Sequence, residues 1–332
     1  MSTQDSLQAS TTPINAAPPA FFDVAAYLQN GLPEPPAPVV GRCTDGLGLF
    51  YKGAVNQLYG DPESGKTFVA LAAAVETMRR GEKFAFLDFD LNGPSGIIPR
   101  LIDLGATPAE LSDPSKFRYA EPEDLDHVRK LIDALIDWCP DVVVIDSIGE
   151  VLPMFGASSN SPDDFTDVNR KTAYRLAKAG ACVITIDHLA KNSDSRSYGS
   201  TGTAAKKRTV GGAYLRVVVE EQFAPGRGGS CRLTITKDRP GGLRAHRRAE
   251  DKEPIAATFR MHAEGPSRWD LFAPGDNEPN PLEVPRQEDQ DAIMALPWPI
   301  PVREAREQMR VSNERATLAV RWRKGLESAV TA

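Results

Sequence analysis

The stretch Gly60-Asp61-Pro62-Glu63-Ser64-Gly65-Lys66-Thr67 has the spacing G-x-x-x-x-G-K-T. Two glycines bracket a short run, and an ammonium and a hydroxyl follow at once, a set suited to holding a polyphosphate. The glycines let successive backbone N–H groups turn toward phosphate oxygens, and the amino terminus of a following helix adds a favourable dipole. In this reading Lys66 bridges the β and γ phosphates of ATP, and Thr67 holds Mg²⁺. An apolar run at 55–59 precedes the motif and a helical run at 68–79 follows it, which is the strand, loop and helix setting such chemistry requires.

Carboxylates supply the second signal. The segment 141–147 reads Asp-Val-Val-Val-Ile-Asp-Ser, an apolar run ending in Asp146. In a parallel sheet the carboxyl ends of strands face the ligand crevice, so Asp146 is expected in the Mg²⁺ shell with Thr67. Hydrolysis also needs a group that orients water, and the residue after Asp146 is Ser147 rather than an acid. The run 84–90, Phe-Ala-Phe-Leu-Asp-Phe-Asp, offers Asp88 and Asp90 on one side of a strand. Asp90 lies nearer the carboxyl end and is the favoured water-positioning residue; the competing reading makes it a cap for the turn at Asn92-Gly93. Asp146-Ser-Ile-Gly149 fits a GTPase D-x-x-G, but no N-K-x-D follows, and no L-S-G-G-Q-like stretch marks a transporter ATPase. A small-molecule kinase stays open, because its acceptor site leaves no firm mark.

These residues need a scaffold. Strand-like runs at 47–51, 55–59, 84–89, 142–145 and 182–186 alternate with helical ones, the pattern of an α/β sheet with crossover helices. The runs at 84, 142 and 182 are apolar on both pleat faces, as buried parallel strands should be. Later runs at 233–236, 255–261 and 269–272 read as antiparallel strands. The fold class expected is α/β: a P-loop NTPase core, with a mostly parallel sheet flanked by helices and a small C-terminal helical module. The expected layout is a Pro-rich mobile arm at 1–40 carrying a short helical face at 21–28, an ATPase core at 41–273, a linker at 274–290 and the helical module at 291–332.

Composition narrows the class. The chain has 332 residues, is 41% hydrophobic and carries a net charge of −6, so contact with a polyanion needs a local basic patch. Four cysteines without a C-x-x-C pair and four scattered histidines argue against a disulfide framework or zinc module. No apolar run approaches the roughly 18 residues of a membrane span, and the chain reads as reduced, cytoplasmic and without a membrane partner.

The order of motifs resembles the RecA-like core of hexameric helicases, most closely the RepA-like ATPases of plasmids, phages and actinobacteria. The matching stretches are GDPESGKT at 60–67, FLDFDLNGPSGIIPRLIDLG at 86–105, VVVIDS at 142–147, VITIDHLAK at 183–191 and TKDRPG at 236–241. The resemblance implies a RecA fold, ATP hydrolysis with Mg²⁺, and a homo-oligomeric ring, expected to be a hexamer. Asp90 then stands where that family usually has a catalytic Glu, one methylene longer. His188 stands at the sensor position that couples the γ phosphate to a DNA-facing loop; the alternative is a histidine satisfied within a strand-end turn. Lys237 and Arg239 stand where such rings carry residues that reach the neighbouring subunit's ATP; the alternative is a pair of solvated charges before the Pro240-Gly241-Gly242 turn. A guanidinium supplied in trans stabilises charge on the transferring phosphoryl.

Two segments are candidates for DNA contact. Residues 196–208 hold Arg196, Lys206, Lys207 and Arg208 with no acid, a composition suited to sequence-independent phosphate contacts and, by the resemblance, to single-stranded DNA in a channel. A charged loop that merely solvates itself is the competing view. Helical runs at 291–296, 302–309 and 313–324, with a tight connection at 310–312, fit a helix-turn-helix; from 302 to 324 there are seven Lys and Arg against three Glu. A helical pair used for subunit contacts fits equally. The reading is a DNA-stimulated ATPase acting as replicative helicase or translocase; the alternative is an ATP-switched DNA-binding regulator or recombination accessory.

Overall fold

The computed structural model describes residues 24–29, 34–189, 205–248, 252–263, 268–275 and 285–330. The chain divides into two units, Met1–Pro36 and Ala37–Ala332. Of the first unit, the description covers one short helix, α1 (Val24–Leu28), within the expected helical face.

The second unit is organised by its apolar runs. Strands β1 (Val55–Gly60), β2 (Phe84–Asp88), β4 (Val142–Asp146) and β5 (Cys182–His188) are buried along almost their whole length. With β3 (Phe117–Ala120), β6 (Ala213–Ala224), β7 (Gly228–Asp238), β8 (Ile255–Met261) and β9 (Trp269–Phe272), they form a nine-stranded sheet among the described residues. The order is β3-β2-β4-β5-β1-β6-β7-β8-β9. Pairing is parallel from β3 to β6 and antiparallel from β6 to β9. The tips of β2, β4, β5 and β1 therefore lie side by side at one edge.

Alternation along these strands feeds two cores. Phe84, Phe86, Val142, Val144, Cys182 and Ile184 join one cluster, while Ala85, Leu87, Val143, Ile145 and Val183 join the other. The first core is closed by α2 (Lys66–Arg79), whose Val69 to Val75 are wholly buried and mostly alanine, so that the helix lies close on the sheet. The second is covered by α5 (Leu125–Trp138), α6 (Ile148–Met154), α7 (Pro162–Lys171) and α8 (Ala173–Lys178). Short helices α3 (Pro94–Asp103), α4 (Pro108–Leu111), α9 (Ala205–Thr209) and α10 (Gly242–Ala245) fill the connections.

Some sequence expectations shift. Residues 47–51 form no strand; Phe50 makes a single antiparallel bridge to Val40. The reason is local: Gly48 packs against the Pro38 carbonyl with no room for a Cβ, and the Asn56 side chain ties Tyr51 back by two hydrogen bonds of 3.0 Å. The antiparallel part is larger than the run at 233–236 implied, since β6 and β7 form a long bulged hairpin. The Gly-Pro pair at 265–266, expected to turn between β8 and β9, lies outside the described residues, as do 276–284 of the expected linker. That linker ends inside a helix, because α11 (Gln287–Met294) begins before the expected boundary at 291. It packs with α12 (Val302–Met309) and α13 (Asn313–Val330) around Ile293, Ile300, Ala305 and Ala319. Among the described residues no helix is long and apolar enough to cross a membrane, and all four cysteines are free thiols.

Asn56 joins several of these parts. Its fully buried amide accepts from the backbone N–H groups of Tyr51 (3.0 Å) and Ala213 (3.1 Å), and donates to the carbonyls of Tyr51 (3.0 Å) and Val183 (3.3 Å). Replacing it with Ala orphans the backbone N–H groups of Tyr51, ahead of β1, and of Ala213, at the start of β6, so Asn56→Ala should destabilise the fold by about 2–4 kcal/mol. The shift in the urea unfolding midpoint checks this; a change below about 0.5 kcal/mol counts against the assignment.

Candidate active site

The phosphate loop joins β1 to α2. Gly65 caps the helix in the left-handed region, at φ 93°, where a side chain is strained. A Cβ there would also stand 2.5 Å from the Phe223 ring, so glycine is needed for space as well. Lys66 is buried, and its Nζ donates to the carbonyls of Gly60 (3.1 Å) and Asp61 (2.6 Å). Burial pushes its pKa down, although the carboxylates of Asp146, Asp187, Asp61 and Asp90 favour the charged form.

The Thr67 hydroxyl donates to Oδ2 of Asp146 at 3.0 Å, which brings together the two expected Mg²⁺ ligands. Asp146 is 3% exposed. Burial raises its pKa to about 6; Thr67 opposes this, while Asp90 and Asp88 add repulsion. A buried carboxylate at the mouth of an ammonium-bearing loop, crowded by further acids, fits a divalent cation with a phosphate.

The structure separates the two acids of the second strand. Asp88 is fully buried and accepts from the backbone N–H of Asn92 (3.2 Å) and Gly93 (2.9 Å) and from the Tyr119 hydroxyl (2.8 Å). It is therefore Asp88, not Asp90, that anchors the Asn92-Gly93 turn. Asp90 accepts from the Ser147 hydroxyl at 3.2 Å and lies 3.7 Å from Nε2 of His188. The imidazole beside it holds its carboxyl below the usual range, against the effect of partial burial.

A cleft of about 630 Å³ joins these groups. It is lined by Lys66, Thr67, Asp90, Asp146 and His188 and, on the wall that closes over the loop, by Phe223, Met261, His262 and Arg268. The tip of the β6–β7 hairpin forms that wall, with Phe223 stacked on Phe68 at 5.0 Å between centroids. The volume suits a nucleotide. The hairpin wall was missed in the sequence, although Pro225-Gly226 followed by Gly228-Gly229 between two β-branched runs is a hairpin signal.

The remaining expected residues are placed differently. Lys237 and Arg239 are not among the residues lining the cleft. Nζ of Lys237 donates to the carbonyls of Lys207 (2.6 Å), Arg208 (3.2 Å) and Val210 (2.7 Å), so it caps the carboxyl end of α9 within its own chain. Desolvation, helped by Arg239 and Lys207, lowers its pKa to about 8. Arg239 is exposed. Of the basic loop, Arg196 lies outside the described residues, Arg208 is exposed and Lys207 is half-buried. Lys206, expected to face DNA, is instead 1% exposed and paired with Asp187 at 2.6 Å; a cation neutralised in the interior is not offered to a phosphate backbone.

The raised pKa of Asp146 sets a sign for stability. Between about pH 4 and pH 6 the folded chain holds this proton more tightly than the unfolded chain does, so its contribution to stability falls as pH rises through that window. Asp146→Asn removes that loss. The variant should melt higher than the wild type by a few degrees at about pH 8, with the gain shrinking toward about pH 4, and should lose Mg²⁺-dependent ATP binding. A thermal shift series in pH checks this, and a gain that grows as pH falls would contradict it.

A family model described as AAA domain matches residues 18–194, just over half of the chain. Protein RecA of Malacoplasma penetrans (strain HF-2) is 31% identical over 119 residues, covering 36% of this chain and 33% of that protein. Protein RecA of Nostoc punctiforme is 28% identical over 174 residues, covering 50% and 44%, and that of Mesomycoplasma hyopneumoniae (strain 7448) is 27% identical over 154 residues, covering 43% of each. The chain thus spans less than half the length of these curated relatives. Because the family match falls on the strands and loop that build the phosphate end of the cleft, the chain belongs to the AAA domain family and carries the core of a RecA-like P-loop ATPase.

Proposed function

We propose that the chain is an ATP-hydrolysing motor acting on DNA, a ring-forming helicase or translocase of the RepA-like kind. The observation that carries this reading is the convergence, in one nucleotide-sized cleft, of the phosphate loop, the Thr67–Asp146 pair and the Asp90–His188 pair. Lys66 binds the phosphate oxygens, and the hairpin wall with Phe223, packed against Gly65 and Phe68, shields the bound nucleotide from water. Thr67 and Asp146 would hold Mg²⁺, which would supply charge neutralisation to the phosphates. Asp90, ionised at neutral pH and held by Ser147 and His188, accepts a hydrogen bond from water and orients it toward the γ phosphate. Exposed Arg239 lies outside its own cleft, which suits a finger serving the next subunit of a ring. Of the basic loop at 196–208, exposed Arg208 and half-buried Lys207 are the described cations left to meet single-stranded DNA.

A second reading, an ATP-switched DNA-binding regulator, is favoured by the C-terminal helices. An eight-residue α12, a turn with Arg310 at φ 55° and a longer α13 meet over the fully buried alanines 305, 316 and 319, the arrangement of a helix-turn-helix. Arg303, Arg306 and Arg310 are exposed at helical spacing. Arg315 and Arg323 are used internally, on Asp289 and on the Ile293 and Leu296 carbonyls. Strand separation on a forked duplex supports the motor; ATP-dependent duplex binding with no unwinding supports the regulator.

Lys66→Ala should lower kcat for ATP by at least about 10²-fold, measured as phosphate release with single-stranded DNA present; turnover within a few-fold of wild type would reject the phosphate-loop role. Arg239→Ala and Asp90→Asn should each be inactive alone. Mixed in equal amounts, they should recover about a quarter of the wild-type rate, because one random interface in four pairs an intact Asp90 with an intact Arg239. Mixtures that stay inactive would count against action in trans.

A further inference from the structure

Lys206 and Asp187 form an ion pair at 2.6 Å with side chains 2% and 3% exposed, outside the groups assigned to phosphate and metal. The same Asp187 oxygen accepts from Nε2 of Gln57 at 3.2 Å, and the other accepts from the backbone N–H of His188 at 2.9 Å. One carboxylate thereby gathers three parts of the chain: β1, which runs into the phosphate loop; the end of β5, which carries His188; and α9. Around it, the Lys206 ammonium lies 5.6 Å from the centre of the Phe165 ring on α7, and Lys237 caps the other end of α9. The β5 end is also in register with the loop, since Gly60 pairs with His188 and its carbonyl accepts from the Leu189 N–H at 3.1 Å.

Taking two charges out of water costs about as much as their attraction returns, so an apolar pair of similar volume would stabilise this site as well or better. What such a pair lacks is direction. A carboxylate with fixed donors on both oxygens sets the rotation of the Asp187–His188 peptide, and with it the side on which the imidazole emerges, 3.7 Å from Asp90. We propose that Lys206 is a positioning residue for the cleft: by holding Asp187 it fixes the end of β5 so that His188 stands over Asp90. This rests on the reading above only in taking the Asp90–His188 pair as the side of the cleft that handles water. It removes Lys206 from the DNA-binding set and makes α9 a splint between the sensor strand and β7.

The test compares Lys206→Met with the double variant Lys206→Met/Asp187→Asn, in which Asn keeps an acceptor for the His188 N–H and no buried charge is left alone. The readouts are melting temperature, the dissociation constant of a fluorescent ATP analogue, kcat, and the imidazole resonances of histidine-labelled protein. The single variant should melt lower, and the double variant should recover most of that loss. If Lys206 positions His188, the double variant still turns over about 10-fold slower, binds nucleotide within about 3-fold of wild type, and shows a displaced His188 resonance with His127, His246 and His262 unmoved. A double variant whose His188 resonance stays in place overturns the proposal, and full kcat with restored melting temperature would reduce the pair to a structural role. A displaced His188 resonance in a chain that hydrolyses no ATP would uphold the positioning and reject the motor reading instead.

Discussion

Negative charge concentrated in a poorly solvated edge is the constraint on which the rest depends. The sheet order places the tips of β2, β4, β5 and β1 in sequence, so Asp88, Asp90, Asp146 and Asp187 end within one small region. Each needs a reason to stay there. Asp88 is satisfied by the turn it anchors and Asp187 by Lys206, whereas Asp146 is met by the Thr67 hydroxyl and, at longer range, by His188, and burial still holds its pKa high. A cation bound beside this carboxylate would offset that penalty, which is already built into the fold.

The parallel half and the phosphate end were legible because their signals are local. Apolar strands at 84, 142 and 182 declare burial on both faces within a few residues, and the loop from Gly60 to Thr67 carries its chemistry in consecutive positions. Asp146 and Asp90 could be placed because strand tips in a parallel sheet share an edge. Asp88 and Asp90 could not be assigned by alternation alone, since the choice depends on Tyr119, 31 positions from Asp88 and on the edge strand β3 that the sequence reading missed.

Charges with distant partners were the least legible. Lys206 stands among cations with no acid nearby in sequence, and only the packing of α9 reveals Asp187 as its partner, 19 positions earlier. Lys237 looks like a free cation beside Arg239 until its three carbonyl acceptors, 27 to 30 positions away, are in view. In the C-terminal helices, Arg315 and Arg323 counted toward a basic surface, yet Arg315 is paired with Asp289 of its own module and Arg323 is buried on the Ile293 carbonyl. Composition registers a charge; it does not register who consumes it.

The β6–β7 hairpin has a further consequence. Phe223 rests on the loop glycine and on Phe68, yet it lies beyond residue 194, where the family match stops. The cleft is therefore built from both sides of that boundary: Lys66, Thr67, Asp90, Asp146 and His188 lie within the matched residues, and the wall that carries Phe223 comes from a later strand pair. A change confined to the hairpin would therefore reshape one wall of the cleft and leave the residues of the loop from Gly60 to Thr67 in place.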